Sequence, residues 1–208
     1  MGTIAKSSLW FFLKDGKFVV EKQPIEDCVL EGEELEVLEL KNCTCRNVTF
    51  RNSVTGAVVI EDCAFINCRF ENMVKGKGEG GLLLEVKHTS FTECEFGKLV
   101  LEADEEDSIV EEVHFSHCKF EESEVALKGK AQALRFRNCE VGDFTYKGEM
   151  LLDGEFTGLD LRNVKLETKA QGNRFEKTTF RDVELIGSSE KNFFKDCDMK
   201  GYHFHDKE

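Results

Sequence analysis

The chain has little proline, tyrosine or tryptophan and contains no long apolar run. Its 208 residues include one proline, two tyrosines and one tryptophan. No stretch approaches the roughly 18 consecutive apolar residues that are typical of a membrane-spanning helix. The short apolar segment at residues 9–13 is followed by charges and lacks the small-residue cleavage site of a signal peptide. We therefore expect neither a membrane partner nor a secretory leader.

Basic residues are also scarce relative to acidic ones. There are 28 lysines and arginines against 41 aspartates and glutamates, so the formal net charge is −13. Proteins that bind nucleic acid directly need clustered positive charge to displace counterions from phosphates. We therefore expect no direct nucleic-acid partner. The acidity favours a partner protein with a basic surface.

Motifs that carry catalysis or hold metals are missing from the sequence. No Cys-x-x-Cys spacing occurs, and the nearest approach to it is Cys43 and Cys45. The Gly-rich segment at 76–81 lacks the Gly-Lys-Ser/Thr ending of a phosphate-binding loop. No acid–base pair stands out among the many carboxylates. We therefore predict a protein that is not an enzyme and has no catalytic residues, cofactor or metal.

The sequence does contain a repeated hexamer rhythm. A large apolar residue is followed after three positions by a small one, usually cysteine, and after five by another large one. The nine copies begin 20, 20, 26, 24, 21, 20, 19 and 19 positions apart, and a period of about 20 residues is typical of a solenoid. The copies are Ile25/Cys28/Leu30, Cys45/Val48/Phe50, Phe65/Cys68/Phe70, Phe91/Cys94/Phe96, Phe115/Cys118/Phe120, Phe136/Cys139/Val141, Phe156/Leu159/Leu161, Phe175/Thr178/Phe180 and Phe194/Cys197/Met199.

The repeat also accounts for the nine cysteines. Six of them occupy the small position of a copy, Cys45 stands in a large position, and Cys43 and Cys63 share another position 20 residues apart. We expect all nine to be reduced thiols packed in the core. Reduced thiols predict a reducing, cytoplasmic location.

The copies are built from pentads, each with a small inward residue, a large inward residue two places on, and a polar residue or glycine at the end. This alternation is typical of a β-strand, whereas the offsets of three and five residues do not follow one stripe of an α-helix. The closing Asn, Asp or Gly suits a corner of the chain. Four pentads would make one square coil, and about nine coils stacked at roughly 4.8 Å would form a rod on the order of 40 Å long.

The tandem pentads CTCRN-VTFRN (43–52) and CAFIN-CRFEN (63–72) resemble those of pentapeptide-repeat proteins. The resemblance covers about residues 25–206 and implies an all-β fold, a right-handed parallel β-helix of quadrilateral cross-section. The chain is divergent, because cysteine replaces the usual alanine and phenylalanine is frequent in the large position. The family shares no catalytic residues that could be carried over to this sequence.

Two regions are expected along the chain. Residues 25–208 form the β-helix. In residues 1–24, Asp15-Gly16 separates two short apolar runs and predicts a tight β-hairpin. We expect this hairpin to cap the first coil, because an open solenoid end exposes a sheet edge and an apolar core. No obvious cap follows Phe204, so the C-terminal coil is a candidate homodimer contact.

Two coils are longer than the period, by six and four residues, and segments 75–81 and 102–108 are expected to hold the extra residues. Loops inserted into a solenoid often lie at its binding face. The acidic stretches 102–112 and 121–124 are about one coil apart and are expected to share one patch. The candidate partner-binding residues are Glu102, Asp104, Glu105, Glu106, Asp107, Glu111, Glu112, Glu121, Glu122, Lys75 and Lys77.

These features favour a non-catalytic β-solenoid that binds a basic partner protein through an acidic face, as an inhibitor or immunity-type protein would. The alternative implied by the resemblance is a DNA-mimic protector of type II topoisomerase. The irregular coils and the two insertions fit a smooth DNA-like rod less well. A β-helical carbohydrate-active enzyme is the third and weakest hypothesis.

Overall fold

The computed structural model describes residues 13–31, 35–51, 53–71, 82–97, 100–103, 107–121, 123–141, 144–200 and 202–205, which contain strands and turns but no helix. The strands, in chain order, are β1 (Leu13–Lys14), β2 (Lys17–Glu21), β3 (Pro24–Glu31), β4 (Leu35–Lys41), β5 (Thr44–Arg51), β6 (Val54–Glu61), β7 (Ala64–Ile66), β8 (Arg69–Glu71), β9 (Leu83–Lys87), β10 (Ser90–Thr92), β11 (Glu95–Gly97), β12 (Val100–Ala103), β13 (Ile109–Glu111), β14 (His114–Ser116), β15 (Lys119–Glu121), β16 (Ser123–Leu127), β17 (Lys130–Gln132), β18 (Arg135–Arg137), β19 (Glu140–Val141), β20 (Phe144–Leu152), β21 (Glu155–Thr157), β22 (Asp160–Arg162), β23 (Lys165–Gln171), β24 (Arg174–Glu176), β25 (Thr179–Arg181), β26 (Val183–Ile186), β27 (Ser189–Glu190), β28 (Phe193–Lys195), β29 (Asp198–Met199) and β30 (Tyr202–His205).

The strands wind into coils with four sides, called faces 1 to 4 in chain order. Faces 1 and 2 belong to one sheet because β3 and β5 run through both, and faces 3 and 4 belong to a second sheet through β4, β6, β20 and β23. Face 1 also holds β7, β10, β14, β18, β21, β24 and β28; face 2 holds β8, β11, β15, β19, β22, β25 and β29; face 3 holds β12, β16, β26 and β30; face 4 holds β2, β9, β13, β17 and β27.

Strands of successive coils pair in parallel and keep the sequence repeat in register. The nine residues that begin the hexamer copies stack in one column on face 1, from Ile25 to Phe194, and therefore delimit eight full turns. Phe65 in this column is 0% exposed, and its strand neighbours Ala64 and Ile66 are half-buried on the outer side. The quadrilateral parallel β-solenoid predicted from the pentads is confirmed.

Two phenylalanine ladders fill the core between faces 1 and 2. On face 1, Phe65, Phe91 and Phe115 stack with ring centroids 4.8 and 4.9 Å apart and nearly parallel planes. On face 2, the Phe70 and Phe96 rings stack at 4.9 Å. The two ladders meet edge to face, for example at 5.5 Å between Phe65 and Phe70. Each aromatic pair adds about 0.5–1.5 kcal/mol beyond the area it buries.

The small residue between the two ladders forms a hydrogen bond with the neighbouring coil. The Cys118 thiol donates to the carbonyl oxygen of Phe91, at 3.3 Å, and to that of Ser116, at 3.5 Å. The Thr178 hydroxyl, in the same column, donates to the equivalent carbonyl oxygens at 3.3 and 3.1 Å. Seven of the nine copies have such a donor in this column, and Val48 and Leu159 fill it with apolar side chains. All nine cysteines are free thiols, and all but the half-buried Cys197 are buried.

The corner between faces 1 and 2 takes a left-handed backbone conformation. Asn47 and Asn67 have φ values of 53° and 51°, and asparagine tolerates this region better than most residues. The amide groups also form a ladder, because Asn67 Nδ2 donates to Asn47 Oδ1 at 2.8 Å and Asn47 Nδ2 donates to Asp27 Oδ1 at 2.7 Å. These bonds offset part of the conformational cost of the corner.

Glycines close the corner between faces 3 and 4. A Cβ atom on Gly129 would lie 1.7 Å from the carbonyl oxygen of Ser108, and one on Gly187 would lie 2.1 Å from that of Thr168. The same Ser108 carbonyl oxygen accepts a hydrogen bond from Lys130 N at 3.1 Å. The coils approach so closely here that only a residue without a side chain fits.

The two ends of the described solenoid differ. At the N-terminal end, β1 pairs antiparallel with β2 around Asp15-Gly16, and both turn residues have positive φ, so the predicted hairpin is present. Its second strand also pairs in parallel with β4. The capping role assigned to residues 1–24 remains a prediction, because residues 1–12 lie outside the described part of the chain. In the last coil, Phe194 and Met199 continue the inward ladders yet are 36% and 44% exposed.

Candidate protein-binding surface

The structure describes five of the eleven predicted partner-binding residues. These are Glu102 in β12, Asp107 in the turn before β13, Glu111 at the end of β13, Glu112 at the next corner and Glu121 at the end of β15. The remaining six lie outside the described residues: Lys75, Lys77, Asp104, Glu105, Glu106 and Glu122.

Face 3 carries one end of each acidic stretch on neighbouring strands. Strand β12 pairs in parallel with β16, with Val100 opposite Glu124 and Glu102 opposite Ala126. Because Glu121 lies opposite Gly97, the two acidic stretches are offset along adjacent coils, and only Glu102 and Glu124 come within two residues of each other in register. Glu121, at the trailing edge of face 2, lies just before β16 in the chain.

Other predicted acidic residues lie away from face 3. Glu111 is on face 4, opposite Lys87 in the preceding coil, and the exposed Glu112 is at the corner between faces 4 and 1 with a φ of 50°. Consequently the described candidates do not form one continuous patch. We call the trailing edge of face 2 together with face 3 the acidic edge. It is defined by the predicted residues Glu102 and Glu121 and by Glu71 and Glu124, which were not among the predicted residues.

The four extra residues of the second long coil fit within the predicted segment 102–108. Residues 100–103 form the paired strand β12, and Ser108 is 0% exposed, with its Oγ accepting a hydrogen bond from Leu84 N at 3.2 Å. The segment between these structural elements is residues 104–107, which equals the four extra residues of this coil. The predicted insertion at 102–108 therefore includes residues of the solenoid wall, so a deletion of all seven would remove part of the wall.

One outer column on face 4 alternates in charge. On face 4 the column that begins at Glu21 continues in register through Lys41, Glu61, Lys87 and Glu111. Lys41 Nζ lies 2.9 Å from Glu39 Oε1 and 4.0 Å from Glu61 Oε2. Because neighbouring coils are about 4.8 Å apart, opposite charges in a column attract and like charges would repel.

A similar column on face 2 is interrupted at Gly97. It begins with Glu31 and Arg51, where Arg51 lies 3.4 Å from Glu31 and 2.5 Å from Glu71. In the register of the strands, Gly97 then stands opposite Glu71 on one side and Glu121 on the other. The glycine thus interrupts a run of charged side chains.

The neighbouring column on face 2 carries a charged side chain in each of the same three coils. Arg69 is opposite Glu95, which is opposite Lys119. Arg69 Nη2 lies 2.6 Å from Glu95 Oε2, and Lys119 Nζ lies 2.5 Å from Glu121 Oε1. The hydrogen bond from Lys119 lowers the pKa of the Glu121 carboxyl group, and the hydrogen bond that Arg51 donates to Glu71 raises the pKa of Arg51.

The interruption at Gly97 leaves a depression of about 310 Å³ in the surface. Among the described residues, no atom lies within 4 Å of the place that a Cβ on Gly97 would take, apart from the adjoining residues of the chain. The depression, which we call the Gly97 notch, is lined by Arg69, Glu71, Glu95, Phe96, Gly97, Lys119 and Glu121. Sequence reasoning missed it, because a single glycine at the end of a pentad is an ordinary corner signal.

The histidines near face 1 have polar neighbours. His114 Nε2 and Arg135 Nη1 are 2.6 Å apart, and burial followed by the Arg135 charge lowers the pKa of His114. His117 has a φ of 54°, and its Nδ1 lies 3.0 Å from Ser116 Oγ. In the described part of the chain, no three His, Cys, Asp or Glu side chains are arranged to hold a metal ion. The same residues include no helix with the length and apolar character to cross a bilayer.

Comparisons with known proteins return similar structures only. Neither a family model nor a curated protein matches the chain. A tailspike protein of an E. coli bacteriophage is 14% identical with a TM-score of 0.38, and the match covers 91% of this chain and 45% of the tailspike. QnrB1, a plasmid-mediated fluoroquinolone resistance protein, is 13% identical with a TM-score of 0.32, over 86% of this chain and 90% of QnrB1.

A third similar structure is HetL of the cyanobacterium Nostoc, a pentapeptide-repeat protein involved in the regulation of heterocyst differentiation. It is 9% identical with a TM-score of 0.19, over 90% of this chain and 87% of HetL. Because all these TM-scores are low, the type of fold is decided by the four-sided coil and the in-register pentads of the chain itself. The chain is therefore a four-sided parallel β-solenoid built from pentads.

Proposed function

We propose that this β-solenoid is a non-catalytic binding protein that engages a basic partner protein through the acidic edge, as an inhibitor or immunity-type protein. The observation that supports the proposal is the pairing of β12 with β16, in which Glu102 and Glu124 are two residues apart in register on adjacent coils. The paired surface belongs to a rigid wall of parallel strands, so it can bind without reorganisation.

The distribution of charge supports a protein partner. A field of one sign increases the rate at which an oppositely charged protein arrives, and it acts over about one Debye length. Ion pairs that are already made within the columns, such as Arg51 with Glu71, hold the carboxylates in fixed positions. Preorganised carboxylates lose less side-chain entropy when a cationic partner binds.

The DNA-mimic alternative places different demands on the surface. A mimic of the DNA backbone needs long rows of negative charge, whereas the face 4 column from Glu21 to Glu111 alternates in sign. This alternation favours recognition of a particular protein surface over imitation of a uniform polyanion. The same column offers no arrangement that favours the carbohydrate-enzyme hypothesis.

The proposal is tested with two triple variants that have the same net charge. The first neutralises the acidic edge with Glu102→Gln, Glu121→Gln and Glu124→Gln. The matched control neutralises three carboxylates elsewhere with Glu26→Gln, Glu149→Gln and Glu190→Gln.

The wild-type protein is first used to capture partners from native cytosol at low salt, and the protein that salt elutes is identified and purified. Its association rate with each variant is then measured across ionic strength. We expect the acidic-edge variant to associate about tenfold more slowly at low salt and the control to match the wild type. Equal rates for the two variants would rule out the acidic edge, and the absence of any saturable basic partner would contradict the function.

A homodimer through the C-terminal coil remains part of the proposal. The exposed Phe194 and Met199 of the last described coil support it, since both continue apolar ladders. Sedimentation of the wild type should then give twice the monomer mass, and Phe194→Ser should restore the monomer. A wild-type monomer across the micromolar range would contradict this contact. The buried free thiols support the proposed cytoplasmic location.

A further inference from the structure

The side chains of His114 and Arg135 join two successive coils on face 1. The two residues stand opposite each other in the parallel pair of β14 with β18, and His114 Nε2 lies 2.6 Å from Arg135 Nη1. A guanidinium group in a protein is always charged and has donors but no acceptor. His114 Nε2 must therefore accept the hydrogen bond, so the contact requires a neutral imidazole ring with its proton on Nδ1.

The guanidinium group of Arg135 depends on this bond. In the described part of the chain its other ionic contact is with Glu155, whose Oε2 lies 3.5 Å from Arg135 Nε. Arg135 Nε is buried and forms no hydrogen bond with any described residue. Loss of the bond to His114 would therefore leave Arg135 with an ion pair but without a side-chain hydrogen bond among these residues.

The surroundings of His114 favour its neutral form. Strand β10 in the preceding coil places the uncharged Ser90 opposite His114, whereas β18 in the next coil places Arg135 there. Burial of the half-buried ring, followed by the Arg135 charge, lowers the pKa of His114, and these causes outweigh Glu112 and Glu155, which raise it. The titratable or charged groups around the ring are Arg135 and Arg137 on β18, Glu155 on β21, Glu112 before β14 and His88 before β10.

We propose that His114 and Arg135 form an acid-sensitive contact, which holds two successive coils together while the imidazole ring is neutral and opens when the ring takes up a proton. The added proton binds Nε2, the atom that accepts the hydrogen bond, so protonation breaks the bond. It also places like charges opposite each other on neighbouring strands, which is destabilising. Strand β14 is followed in its coil by β15, so the coil that acid loosens also carries Glu121 of the acidic edge.

The direction of the pH dependence follows from the lowered pKa of His114. A histidine in an unfolded chain titrates near pH 6.5, and the folded protein takes up this proton only at a lower pH. The stability contributed by the neutral ring is therefore fully present above about pH 6.5 and is lost as the pH falls through the folded-state pKa.

The first test compares thermal unfolding of the wild type, His114→Gln and His114→Lys between pH 8 and pH 5 at low salt. Glutamine offers Arg135 an acceptor that does not titrate, whereas lysine carries a positive charge throughout this range. We expect the Tm of the wild type to fall relative to that of the glutamine variant as the pH decreases, and the lysine variant to be the less stable of the two variants at every pH. The other titrating groups are common to all three proteins, so a gap between the wild type and His114→Gln that does not change with pH would refute the proposal.

The second test follows the ring of His114 by NMR during a pH titration of the full-length wild type, Arg135→Gln and Arg137→Gln. Arg137→Gln is the matched control, because it removes the same charge from the same strand at a position opposite Ser116. We expect the wild-type midpoint to lie below that of the urea-unfolded chain, and to rise more in Arg135→Gln than in Arg137→Gln. Equal rises in the two variants, or a wild-type midpoint at or above that of the unfolded chain, would overturn the assignment of this contact.

Discussion

Replacement of Cys118 by aspartate tests the assignment of the thiol column most directly. Cys118 is 1% exposed, and its thiol donates to the carbonyl oxygens of Phe91 and Ser116. A carboxylate at this place would face two acceptors and receive no donor from them. Cys118→Asp must therefore either hold a buried, unpaired charge or take up a proton.

The size of the destabilisation follows from the free energy needed to keep the aspartate protonated. An aspartate in the unfolded chain has a pKa of about 3.9, so keeping it protonated at pH 7 costs about 4 kcal/mol at 1.36 kcal/mol for each pH unit. That is a large part of the roughly 5–15 kcal/mol by which domains are stable. The direction of the pH dependence is fixed by burial, which raises the folded-state pKa of the carboxyl group. The penalty is therefore full near pH 7 and disappears as the pH falls to about 4, where the unfolded chain is protonated as well.

The measurement is urea unfolding of Cys118→Asp and Cys118→Asn between pH 7 and pH 4. Asparagine matches aspartate in size and does not titrate, so the difference between the two variants isolates the charge. We expect the aspartate variant to be less stable by about 4 kcal/mol at pH 7 and the difference to close near pH 4. Cys118→Thr should stay within about 1 kcal/mol of the wild type, because Thr178 makes the same two hydrogen bonds in this column. A difference between Asp and Asn that is small or independent of pH would refute the inward placement of Cys118.

Three further changes test other parts of the wall. Gly129→Ala should destabilise the protein by about 1–3 kcal/mol or more in urea unfolding, because its Cβ would lie 1.7 Å from the Ser108 carbonyl oxygen. Gly97→Ala is the control and should be neutral or stabilising, because its Cβ would meet open space. Asn67→Val should lower stability by about 1–2 kcal/mol in the same assay because its φ is 51°, and equal stability would contradict the corner conformation. Phe91→Ala should cost about 3–5 kcal/mol, since Phe91 is 5% exposed within a continuous ladder, and a loss below about 1 kcal/mol would contradict that ladder.

The inward-facing columns could be read from the sequence because each pentad carries its own pattern. Phe65, Cys68 and Phe70 are buried as their alternation predicts. This pattern is local: a strand shows which of its residues face the core without reference to its neighbours. The same locality explains why the N-terminal hairpin at Asp15-Gly16 was predictable.

The corners were only partly predictable. Asn47 and Asn67 are residues that favour a left-handed conformation, and their place at the end of a pentad indicated a turn. Glu93, Lys177 and Ala133 take φ values of 54°, 51° and 51° without any such preference. Stacking on the coils above and below imposes the conformation at these positions, so the residue itself carries no signal.

The outer surface depended on the register between coils. Glu71, Gly97 and Glu121 are 26 and 24 residues apart, because two coils are longer than the rest. Their neighbourhood is therefore hidden from a strict 20-residue period. The sequence alone determined which side chains form the core, since apolar burial repeats with each pentad. Only the tertiary structure decided which charges stand side by side, because those relations arise between strands that are distant in the chain.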